Sequence, residues 1–232
     1  MGKPPRPSSE ASPKAPRWVS FDCYGTLIDW ESGIRRAFRE LIRVREEEEA
    51  ELFLAWEKIQ WEKIQEPYVP YAEILRSSFR QAAEEFGYRY ASYAGEAFVD
   101  SLARWEPFPD VRSVLNSLSH RHRLAIISNV DRDLLGQTLR HFPVRFDALI
   151  TAEDARAYKP NPEIFNHALG LLGCPPEQVV HVAFGVGYDL QPAHSAGLRV
   201  VHLNRKPSPG PGISDVPLEA TIKSLEELLH LW

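Results

Sequence analysis

The sequence predicts an α/β protein whose core is a parallel, Rossmann-like sheet, with an all-helical unit inserted after the first strand. Three observations carry this. From Asp110 onward, short apolar runs alternate with helical patterns, the signature of a sheet covered on both faces. One isolated strand precedes a long stretch, residues 31–105, in which every pattern is helical. The apolar runs also end in polar residues, as strands do when their carboxyl ends line a ligand crevice.

The elements follow in chain order. Residues 1–16 hold five prolines and no apolar cluster, so they read as a disordered tail that cannot offset its ordering entropy. Residues 18–21 form a strand that runs into Asp22, and 23–26 form a turn. Asp29 is placed to cap a helix whose apolar residues Ile34, Ala37, Phe38, Leu41 and Ile42 keep helical spacing. The acidic run 46–49 is a solvated stretch of helix or loop. Residues 51–66 contain WEKIQ twice in succession, at 56–60 and 61–65. At about 100° per residue, a spacing of five turns Trp61 roughly 140° away from Trp56, so one ring points inward and the other toward a neighbouring helix or the cleft.

Two more helices are expected over 71–86 and 95–104, and Pro107 and Pro109 mark a boundary. Beyond it come a helix at 111–119, a strand at 123–127 and a helix at 131–140. A short strand at 147–150 and a helix at 162–172 follow, then a strand at 179–183, a helix at 189–196 and a strand at 199–203. The domain plan is therefore a tail at 1–16, a core from 17–30 and 106–232, and a helical insertion at 31–105.

Composition narrows the function. A net charge of −5 argues against a dedicated nucleic-acid binder, because phosphate affinity comes from clustered Lys and Arg. No apolar stretch approaches the roughly 20 residues of a membrane span, and no signal-peptide core is visible, so a cytoplasmic location without membrane attachment is expected. The two cysteines, Cys23 and Cys174, read as free thiols.

If the sheet is parallel, Asp22, Ser128, Asn129, Lys159 and Asp189 converge at one edge. A carboxylate there can act as a nucleophile and split one displacement into two easier steps. Gly25 lets the chain after Asp22 approach an anion closely. Lys159 can keep Asp22 ionised and neutralise developing charge. Ser128 and Asn129 can fix a substrate by hydrogen bonds. Asp189 either caps a helix or holds Lys159. His181 and His194 read as structural, because no second ligand stands at metal spacing.

The segments FDCYGTLIDW (21–30), IISN (126–129), AYKPNPEIF (157–165) and HVAFGVGYDLQPAHSAG (181–197) together resemble the four ordered motifs of the haloacid dehalogenase superfamily, in particular its type II 2-haloacid dehalogenase branch. Over residues 18–205 the resemblance implies a core with a helical cap and an aspartyl-ester mechanism on a small 2-haloacid. It implies Asp22, Lys159 and Asp189 as catalytic residues, and Cys23, Tyr24, Thr26, Ser128 and Asn129 as substrate-binding ones, with Asn129 near the leaving halide. No metal or other cofactor is implied. Phosphatases of the superfamily have an acid two residues after the nucleophile and a Gly-Asp pair in the fourth motif, where this chain has Tyr24 and Phe184.

The chain also departs from characterised dehalogenases. Phe165 stands at a tyrosine position, the fourth motif lacks a Ser/Asn pair, and the cap arginine has no clear counterpart, although Lys58 or Arg35 could serve. Two alternatives therefore stand beside dehalogenation: a Mg²⁺-dependent small-molecule phosphatase, and a catalytically silent binding protein on the same scaffold. The expected partner is a small carboxylate substrate. Dimers are common among similar proteins, so a homodimer is compatible with the sequence.

Overall fold

A computed structural model describes residues 15–206 and 216–232. The tail expected over 1–16 lies outside these residues up to residue 14. The sheet contains β1 (Trp18–Phe21), β2 (Arg123–Ser128), β3 (Ala148–Thr151), β4 (Val179–Ala183), β5 (Arg199–Leu203) and β6 (Ala220–Ile222). Their spatial order is β3-β2-β1-β4-β5-β6, and every pairing is parallel. Val19, Phe21, Leu124, Ile126, Val180 and Val182 are fully buried, as strands covered on both faces require. The order reverses between β1 and β4, so their following loops part to opposite sides and open a crevice at the carboxyl edge.

After β1 the inserted unit contributes α1 (Trp30–Ile42), α2 (Glu49–Ile64), α3 (Tyr71–Glu85) and α4 (Ala94–Ser101). Asp29 caps α1, accepting from the Ser32 N–H at 3.3 Å and the Ser32 hydroxyl at 2.7 Å. These helices share an aromatic core. Phe79 stacks on Phe98 at 4.4 Å and on Phe38 at 5.6 Å, and the wholly buried Trp56 meets Phe38 edge-on at 6.3 Å. The acidic run begins as a 3₁₀ turn, Glu46–Glu48.

The remaining helices are α5 (Val111–Ser119), α6 (Arg132–Thr138), α7 (Ala152–Ala155), α8 (Glu163–Leu172) and α9 (Gln191–Ser195). Two features differ from the sequence reading. The expected helix over 189–196 is a π-helical turn, Val186–Leu190, followed by the shorter α9. The chain also adds β6 and a 3₁₀ helix, Leu225–His230, neither of which was expected. Three residues are too few to show a strand periodicity, so β6 exists by pairing with β5.

The inserted helices are tied to the sheet at defined points. The Asp131 carboxylate, from the loop before α6, accepts from the Tyr71 and Ala72 N–H groups at 2.7 and 2.8 Å. It thereby caps α3, whose own preceding residue is Pro70 and supplies no side-chain cap. The Tyr158 hydroxyl donates to the Val69 carbonyl at 2.6 Å. Among the described residues, no helix is long and apolar enough to cross a membrane.

Candidate active site

Asp22 follows directly on β1, and its N–H extends the ladder to the Val182 carbonyl at 3.1 Å. The chain then folds back at once. The N–H groups of Leu27 and Ile28 both reach the Cys23 carbonyl, at 2.8 and 2.9 Å. Gly25 makes this turn with φ +98°, a conformation that disfavours a side chain, and a Cβ there would lie 2.2 Å from the Phe184 ring. The turn returns Thr26 to Asp22: its hydroxyl donates to Oδ2 at 2.9 Å and accepts from the Phe184 N–H at 3.3 Å.

The other carboxylate oxygen faces Lys159. The Lys159 Nζ donates to Asp22 Oδ1 at 2.9 Å, to Asp189 Oδ2 at 2.7 Å and to the Ile127 carbonyl at 3.0 Å. An ammonium has three donors, so all of them are committed within the protein. Asn129 locks the backbone of this residue: its Oδ1 accepts from the Lys159 N–H at 2.7 Å and its Nδ2 donates to the Lys159 carbonyl at 3.1 Å. Asp189, from the π-helical turn, also bonds His181 Nε2 at 2.7 Å, and His181 Nδ1 bonds the Ser20 hydroxyl at 3.0 Å. A buried chain of polar groups thus runs from Ser20 on β1 through His181, Asp189 and Lys159 to Asp22.

The electrostatics follow from one cation between two buried carboxyls. Burial pushes the Asp22 carboxyl above its ordinary range, opposed by the charge and hydrogen bond of Lys159 and by the Thr26 hydroxyl. Burial acts in the same direction on Asp189, but Lys159 and His181 outweigh it and hold that carboxyl low. For Lys159, burial disfavours the charge, and the two carboxylates more than offset it, so the ammonium persists.

Above Asp22 opens a cavity of about 400 Å³. Tyr24, Ser128, Asn129 and Lys159 reach its wall as the sequence led us to expect. The Ser128 hydroxyl is buried and finds no hydrogen-bond partner among the described residues, which is costly unless a ligand satisfies it. Three expected residues are not on the wall. Thr26 and Asp189 stand behind Asp22 and Lys159 and position them. Cys23 is a correction: its fully buried side chain belongs to the hydrophobic core, because successive residues of an extended chain point to opposite sides. Burial also pushes its thiol well above the ordinary value.

The sequence reading missed several wall residues. Trp30, Glu57, Gln60, Trp61, Tyr71 and Tyr188 all line the cavity. Trp61 was foreshadowed by its five-residue offset from Trp56, and its ring meets Tyr188 at 5.8 Å. Of the two candidate cap cations, Lys58 lines this cavity, while Arg35 faces an adjoining cavity and pairs with Glu31 and Glu49. His181, read as structural, joins the site through Asp189. Its place on β4, in register with Ser20, emerges only from the folded sheet.

A Mg²⁺ ion of the phosphatase type does not fit these residues. Hard cations need several oxygen ligands. Position 24 carries a tyrosine whose hydroxyl bonds Thr138 at 2.9 Å. The Phe184 ring covers the Gly25 turn, and Asp189 is engaged by Lys159 and His181. Among the described residues, no three His, Cys, Asp or Glu side chains are grouped to hold a metal ion.

Residues 16–197 match the family model described as haloacid dehalogenase-like hydrolase. The chain is 39% identical over 127 residues to haloacid dehalogenase-like hydrolase domain-containing protein 3 of Danio rerio, a match spanning 53% of this chain and 52% of that protein. It is 27% identical to (S)-2-haloacid dehalogenase 4A of Burkholderia cepacia, covering 91% of this chain and 92% of the relative. It is equally 27% identical to a pyrimidine 5′-nucleotidase of Escherichia coli, over 91% of this chain and 97% of the relative. A crystal structure of a dehalogenase superposes with a TM-score of 0.84 at 26% identity, covering 94% of this chain and 98% of that one.

Proposed function

The chain belongs to the haloacid dehalogenase-like hydrolases, and on that premise we propose that it hydrolyses a carbon–halogen bond of a 2-halocarboxylic acid through an ester on Asp22. One observation carries this reading: Asp22 lines the cavity, paired with a buried, fully hydrogen-bonded lysine, while the flanking positions that would complete a metal site hold Tyr24 and Phe184. The relatives include both a dehalogenase and a nucleotidase, and the poor fit to Mg²⁺ favours the former chemistry.

In the first step an Asp22 carboxylate oxygen forms a bond to C2, and the halogen leaves with the bonding pair as halide. The hydroxyl of Ser128 supplies a donor for the substrate carboxylate, and the Lys159 charge adds long-range attraction. In the second step water adds to the ester carbonyl carbon of Asp22. The bond from that carbon to the substrate oxygen breaks, releasing the 2-hydroxy acid, and the carboxylate is restored with loss of one proton. Thr26 and Lys159 hold the carboxyl group still through both steps, so little reorganisation is needed.

Halide release from fluoro-, chloro- and bromo-acids, with and without EDTA, tests the proposal. The wild type is expected to release halide regardless of EDTA, and Asp22→Asn to lose about 10⁴-fold or more of the rate. Phosphate release that needs Mg²⁺ would instead establish the phosphatase reading. No turnover of either class would point to a binding protein on this scaffold.

A further inference from the structure

The duplicated pentapeptide of α2 contributes to the wall of the cavity above Asp22. The first copy sends Trp56 into the core. Glu57, Lys58 and Gln60 of the same copy, with Trp61 of the second, face the cavity. A three-carbon haloacid has about six heavy atoms. Even at the roughly 30 Å³ that one water occupies in the liquid, it fills about 180 Å³, less than half of the 400 Å³ present. The cavity wall includes the rings of Tyr24, Trp30, Trp61, Tyr71, Phe184 and Tyr188. Trp61 keeps 39% of its surface exposed and Leu54, on the same wall, 61%, so apolar area at the cavity is still available for burial against a ligand.

One group on this wall is charged and uncompensated. Glu57 has no ion pair or hydrogen bond among the described residues, although it is half-buried. Its neighbours are engaged elsewhere: Lys58 lies 3.9 Å from Glu62, and Glu31 is paired with Arg35 and Lys206. Burial and the charge of Glu31 push the Glu57 carboxyl up, the cost that a cationic partner would relieve. Aromatic faces around a carboxylate suit a cation or an N–H donor carried on a flat apolar body.

We propose that the substrate is a carboxylic acid with an aromatic or similarly flat apolar side chain that packs against Trp61 and Tyr188 and ends in a cationic or N–H donor group met by Glu57. This specificity rests on the hydrolase reading for its chemistry but not for its binding energy, so the two are tested apart. Binding of three unreactive acids is measured by calorimetry: propionate, 3-phenylpropionate and 3-(4-aminomethylphenyl)propionate. The phenyl acid is expected to bind at least tenfold more tightly than propionate, and the amine at least threefold more tightly again. Trp61→Ala should remove the phenyl gain, and Glu57→Gln the amine gain alone. Equal affinities for the three acids, or gains that survive both substitutions, would overturn the inference. Halide release from 2-bromo-3-phenylpropionate is read separately. Its absence with the affinity order intact would count against the hydrolase reading only, and its presence with flat affinities against the specificity only.

Discussion

The Lys159 ammonium lies 2.9 Å from Asp22 Oδ1 with its side chain wholly shielded from solvent. Breaking a buried pair by removing one partner costs about 3–5 kcal/mol, because the remaining charge is left uncompensated. Lys159→Met should therefore destabilise the fold by about that amount in chemical denaturation, since it strands Asp189 as well as Asp22. Lys159→Arg should not restore activity, because a planar guanidinium cannot point donors at Asp22, Asp189 and the Ile127 carbonyl together.

The pH dependence follows from the direction of the Asp22 shift. Only the ionised carboxylate attacks, so kcat/KM should rise with pH through the Asp22 pKa and then level. Burial raises that pKa above its ordinary 3.8, so the acid limb should lie above the range of a solvated aspartate. In a variant without the Lys159 charge the limb should move to still higher pH. A wild-type limb at or below 3.8 would contradict the electrostatics described for this site.

Ser128→Ala removes a buried hydroxyl that has no partner among the described residues. Deleting an unpaired group costs the folded protein little, whereas a hydrogen bond to a charged ligand is worth about 1.5–3 kcal/mol. The variant should keep its melting temperature and lose roughly 10- to 100-fold in kcat/KM. Lost stability with unchanged kinetics would assign Ser128 to the scaffold.

Asp131→Ala tests the tie between the inserted helices and the sheet. It removes the carboxylate that caps α3 through Tyr71 and Ala72, and Tyr71 is itself on the cavity wall. The loss of an N-cap predicts about 1–2 kcal/mol of destabilisation. Because the cap is delivered from another part of the chain, KM should also rise. Hydrogen exchange at the first turn of α3 should quicken, and unchanged exchange would show that the contact does not hold the helix.

The parts of the site on strand ends were readable because short apolar runs in a parallel sheet have one functional edge. That logic places Asp22, Ser128, Asn129 and Lys159 at the cavity. Cys23 entered the expected site only through the family resemblance, and alternation along an extended chain sends its side chain into the core. The logic of strand ends misses walls made by contacts between distant segments. Nothing local in the sequence brings Tyr188, on a π-helical turn, against Trp61 of α2. His181 is a related case, since its role depends on Asp189 eight residues later turning back toward β4.

A single turnover in H₂¹⁸O, with enzyme in excess over a 2-haloacid that it consumes, tests the Asp22 ester most directly. Water attacks the Asp22 carbonyl carbon, so the new hydroxyl of the first product should carry unlabelled oxygen. The protein should gain one ¹⁸O in the peptide containing Asp22. Label in the first product with none in the protein would mean that water attacks the substrate directly, and the covalent role of Asp22 would be wrong.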